Sequence, residues 1–140
     1  MEVRKIYFID IVYYCAFSFY RRFEKDLNEF SGQALTSVCL SLNVILLIIL
    51  SEQFFDLEWL GNKWYSLFVT IPILLMVVIR YSKFLNIIEI EDALYQMELL
   101  KRKRVKILAI TYIVLSIVVS LLVAIILGEV NNPPPFWSKW

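Results

Sequence analysis

The chain has no histidine, and its 140 residues include only two cysteines, three glycines and four prolines. Without histidine, the commonest general base and the commonest nitrogen ligand for metals are both missing. Cys15 and Cys39 lie far apart with no soft ligand beside either, so neither a structural disulfide nor a zinc site is expected. Three glycines do not make a glycine-rich phosphate loop, and no Ser–His or Cys–His arrangement can be built. Catalysis is not expected, and no cofactor or metal is implied. Glu89, Glu91, Asp92 and Glu98 could in principle hold a divalent cation, but beside a basic run they read as the solvated face of a helix and its ion-pair partners.

What the chain has in quantity is apolar sequence: 60% of residues are hydrophobic, with a mean hydropathy of +0.69, well above the roughly half-apolar usage of soluble domains. Three long apolar runs, 34–50, 64–79 and 107–127, read as transmembrane spans within one domain. The third alone reaches across a hydrocarbon core of roughly 30 Å at about 1.5 Å per residue. The net charge of +1 hides strong segregation, because twelve of the fourteen Lys and Arg residues fall in 2–30 and 80–106. The connector 51–63 and the tail 128–140 hold one Lys each. By the positive-inside rule both basic segments face the cytoplasm, which puts the N-terminus inside and the C-terminus outside.

Between residues 6 and 23 stand eight aromatic residues, Tyr7, Phe8, Tyr13, Tyr14, Phe17, Phe19, Tyr20 and Phe23, flanked by Arg4–Lys5 and Arg21–Arg22. Asp10 interrupts the run, and no small-residue cleavage site follows, so it does not read as a signal peptide. It is short for a span, and the expectation is a helix lying in the membrane interface, with Asp10 at headgroup level beside water or Arg4. Ser31 is the expected N-cap of the first span. The connector 51–63, with Glu52, Asp56 and Glu58, places Phe54, Phe55, Trp59 and the adjoining Trp64 at the outer interface, and Pro72 is expected to kink the second span. Arg80, Tyr81 and Lys83 mark its inner boundary. From 84 to 106 there is no Gly or Pro, and Ile87, Ile90, Leu94 and Met97 recur at helical spacing. This predicts a cytoplasmic amphipathic and basic helix continuous with the third span. The tail, with prolines 133 to 135 and then Trp137 and Trp140, cannot be helical through the prolines and is expected to rest on the outer surface.

Three constellations stand out. The run Lys101, Arg102, Lys103, Arg104 and Lys106 attracts anions, either lipid headgroups or a phosphate-bearing nucleotide or oligonucleotide ligand. Asn43, inside the first span, needs a partner: an interhelical hydrogen bond, or a place with Thr36 in the lining of a pore. Tyr112, Ser116, Ser120, Ala124 and Gly128 recur every four residues, and the small members of this stripe suit close helix packing within or between subunits. The fold class expected is an all-α integral membrane protein that forms a homo-oligomer. The leading functional reading is a channel or pore set at its cytoplasmic basic surface. The alternative is a non-conducting membrane adaptor or immunity-type protein that binds one partner through the helix at 84–100.

In size, span count and cytoplasmic basic helix, the chain resembles the small transmembrane effectors of bacterial antiphage systems controlled by nucleotide or oligonucleotide signals, such as Hailong. The resemblance rests on architecture and assigns no residue a role. It implies an effector held inactive or triggered by the product of a partner nucleotidyltransferase, with membrane depolarisation as its output.

Overall fold

Helices take up nearly all of the described residues, and no strand occurs among them. The computed structural model describes residues 6–23, 27–55 and 64–131, with side chains for all of these except 53–55, 64–65 and 127–131. The expected acidic connector beyond residue 55, the proline-rich tail and Arg4 lie outside the described residues. The elements are α1 (Phe8–Tyr20), α2 (Asn28–Phe55), α3 (Trp64–Ile79), a π-helical turn (Arg80–Phe84), α4 (Ile87–Gln96) and α5 (Leu99–Asn131). Three segments are long and apolar enough to cross a membrane, namely Asn28–Glu52, Ser66–Phe84 and Leu99–Ile126.

The apolar runs mark the spans, but capping and packing set their ends. α2 begins at Asn28, so Ser31 lies inside the helix, its N–H donating to the Leu27 carbonyl at 2.9 Å. α3 coincides with the run 64–79 and passes through Pro72 as a single helix. It continues into the π turn, where the Leu85 N–H donates to the Arg80 carbonyl at 3.0 Å.

The expected continuous helix over 84–106 is broken. Met97 is extended, with φ −75° and ψ 146°, and the basic run stays with α5 while the amphipathic stretch forms α4. The cause is packing, since no Gly or Pro lies nearby. α4 turns its apolar face inward, with Ile90 and Leu94 fully buried and Ile87 and Met97 packed around them. A straight helix could not lay that face on the core and also direct α5 along the bundle.

α2 is the central helix, in contact with α1, α3 and α5. The hydrophobic core sits at the basic end of the bundle, where Ile11, Val12, Tyr13 and Phe17 of α1 meet Val77, Tyr81, Leu85, Ile90, Leu94 and Ala109. α1 is therefore a core element, packed on α2, α5 and α4 and not a helix detached from the bundle. Tyr13 and Phe17 enter the core, while Phe8 and Phe19 stay exposed on its other side. Burying each large apolar side chain contributes on the order of 1.5–3 kcal/mol. Gly32 allows the approach: a Cβ there would stand 3.1 Å from the Phe17 backbone.

Candidate functional site

Asp10 lies in the first turn of α1, where a carboxylate complements the positive end of the helix. It is completely buried. Its Oδ2 accepts the Tyr7 backbone N–H at 2.8 Å and Arg80 Nη2 at 2.8 Å, while Oδ1 accepts Arg80 Nε at 2.9 Å and the Tyr81 hydroxyl at 2.9 Å. The two parallel guanidinium bonds form a bidentate fork, the strongest geometry available to such a pair. Both Arg80 and Tyr81 reach the same carboxylate from the π turn, a distortion often found at functional positions. The Tyr81 ring stacks on Tyr13, with centroids 3.9 Å apart and planes 15° apart, and the guanidinium lies 5.3 Å from the centre of the Tyr7 ring. Among the described residues, the cation that meets Asp10 is Arg80, seventy positions along the chain. Burial, with the nearby Glu29 carboxylate adding to it, pushes the Tyr13 phenol up to about 12, so that ring stays neutral.

A second polar site joins α2 to α5. Asn43 Nδ2 donates to the Tyr112 hydroxyl at 2.6 Å and to Ser116 Oγ at 3.0 Å. The Phe8 and Tyr112 rings meet edge to face with centroids 5.7 Å apart, so the start of α1 touches this seam. Thr36 is fully buried and donates to the Gly32 carbonyl at 2.8 Å. In this subunit Thr36 offers no surface to a pore, and both Asn43 Nδ2 donors are engaged across the helix pair. Of the expected oligomer-packing residues, Ser116 is buried inside the subunit as Asn43's partner. Ser120 Oγ is also enclosed, with no hydrogen-bond partner among the described residues, as is Ser41 Oγ. Ala124 is exposed, and the surroundings of Gly128 lie outside the described side chains.

The five cations expected to hold an anion divide into two groups. The Arg102 guanidinium lies 4.9 Å from the Tyr95 ring centre and Lys106 Nζ 4.8 Å from that of Tyr14, whose hydroxyl reaches Glu91 at 3.4 Å. Lys101, Lys103 and Arg104 are exposed. The Asp10–Arg80–Tyr81 cluster went unread as a unit, although an aspartate in an apolar run and an arginine ending a span each call for a partner. No family model matches the chain, and no curated protein or solved structure matches it either.

Proposed function

We propose that the protein is a homo-oligomeric, ion-conducting membrane effector, gated at its basic end by an anionic, phosphate-bearing ligand. The observation that carries this reading is α5. It is a single helix of 33 residues, roughly 50 Å long at 1.5 Å per residue, with exposed Lys101, Lys103 and Arg104 in its first two turns and a membrane-length apolar stretch beyond them. An anion that moves those cations moves the span, because no joint intervenes. Asn43, Thr36 and Ser116 are all engaged within one subunit. The conducting path therefore forms between subunits, with Ala124 as the exposed small residue of the α5 stripe. The charge segregation supports placing the basic end on the cytoplasmic side of a bacterial inner membrane.

The test is conductance in planar bilayers with a short oligonucleotide added at the basic side. The ligand should change the current, and Lys101→Gln, Lys103→Gln and Arg104→Gln together should abolish that response while the protein remains folded. A purified protein that is monomeric in lipid and electrically silent would sink the channel reading. A second reading then applies, a membrane adaptor or immunity-type protein. It is favoured by the engagement of both Asn43 Nδ2 donors inside one subunit, which leaves neither of them for a second copy. Its partner would meet Ile88 and Tyr95, large side chains that α4 leaves exposed.

A further inference from the structure

α3 carries a groove of about 550 Å³ on its outer side, lined by Pro72, Leu75, Met76, Ile79, Arg80 and Phe84. That volume is within the roughly 300–1,000 Å³ of ordinary ligand sites. Leu75, Met76, Ile79 and Phe84 are all exposed, and Arg80 is the single charged residue in the lining. From Pro72 to Phe84 the helix advances about 18 Å, close to half of the roughly 30 Å hydrocarbon core. An apolar trench one leaflet deep, ending at a cation, is complementary to a lipid and to little else.

Arg80 can serve Asp10 and a second anion together. A guanidinium has five N–H donors in a planar fork. Asp10 takes the Nε donor and one from Nη2, which leaves three donors that Asp10 does not use. The Arg80 side chain is 31% exposed while that of Asp10 is completely enclosed, so the unused edge turns outward. The π turn carries exposed Lys83 three residues on, adding positive charge at the same end of the helix.

We infer that this groove is a binding site for an anionic phospholipid. One acyl chain lies along Pro72, Leu75, Met76 and Ile79, the phosphate accepts from the outer edge of Arg80, and Phe84 flanks the headgroup. Asp10 then acts as the positioning residue that orients the guanidinium. This inference needs the α3 span to be in a bilayer and does not depend on conduction.

The experiment uses the full chain purified in detergent, with native mass spectrometry to count retained phosphatidylglycerol and phosphatidylcholine. One phosphatidylglycerol should be held in preference to phosphatidylcholine, and inorganic phosphate should not displace it, because the acyl chain supplies half of the recognition. Arg80→Lys should weaken retention by about tenfold, the loss of a charge-assisted hydrogen bond. Met76→Trp fills the trench from its exposed side and should reduce retention by a similar factor without touching the Asp10 pair, so it decides the matter if Arg80→Lys does not fold. Equal retention of both lipids, displacement by phosphate alone, or wild-type retention in Met76→Trp would each overturn the inference.

Discussion

Asp10 and Arg80 are unequal halves of their pair, and the inequality predicts how each responds to mutation. Replacing Arg80 by Ala strands a carboxylate that is fully enclosed in the native fold, and should cost up to about 3–5 kcal/mol, as for breaking a buried ion pair, less what water entering the vacated space recovers. Asp10→Asn leaves a guanidinium that is already partly exposed and can relax outward, at a cost of about 1–2 kcal/mol. Thermal unfolding in detergent should rank Arg80→Ala below Asp10→Asn, and the reverse order would contradict the enclosure of Asp10. Asn43→Ala should be milder, near the 0.6 kcal/mol average for hydrogen bonds between membrane helices, and its melting curve should lie closest to wild type. That Asn43 needs a partner was legible in the sequence, because an amide in an apolar run must be satisfied, but that Tyr112 and Ser116 supply it was not. Nor was Asp10's partner. Seventy positions separate it from Arg80, while Arg4 is a nearby alternative, and sequence proximity carries no information about which cation arrives first in three dimensions.

Element by element, the periodicities were readable and the joints were not. The spacing of Ile87, Ile90, Leu94 and Met97 identifies the face that α4 buries. The corner at Met97 has no breaker residue to announce it, because it is imposed by what α4 packs against. The aromatic wealth of α1 was legible too, but rings suit a membrane interface and a protein core equally well, and the close approach at Gly32 that brings Phe17 into the core has no signal in the run itself. Gly32→Leu should undock α1 from α2. Cys15 reports it: burial pushes its thiol up, which lowers the reactive thiolate fraction at neutral pH, so in a Cys39→Ser background it should label slowly and faster as the pH rises. Gly32→Leu should remove that burial, lower the pKa toward its ordinary value and accelerate labelling at neutral pH. Unchanged labelling would mean that the glycine contact is not what holds the helix.

For the whole molecule, charge segregation gives the orientation its simplest test. With Cys15 and Cys39 replaced by Ser, single cysteines at Ser51 and Ser138 should react with an impermeant thiol reagent in intact cells, while one at exposed Gln96 should react only after lysis. Labelling of Gln96→Cys without lysis would invert the topology. The three apolar segments were visible from hydropathy alone, whereas the location of the core at the basic end follows from α1, whose role depends on residues far along the chain. That dependence also orders the molecule in time. α1 leaves the ribosome ahead of α3, and the groups that bind Asp10 are some seventy codons behind it, roughly 4–14 s at a synthesis rate of 5–20 residues per second. During that interval the nascent chain carries an aromatic helix with an uncompensated aspartate and no seat. α1 cannot take its final seat until Arg80 and Tyr81 have been made, and a chain that stops short of residue 80 lacks the groups that lock that helix down.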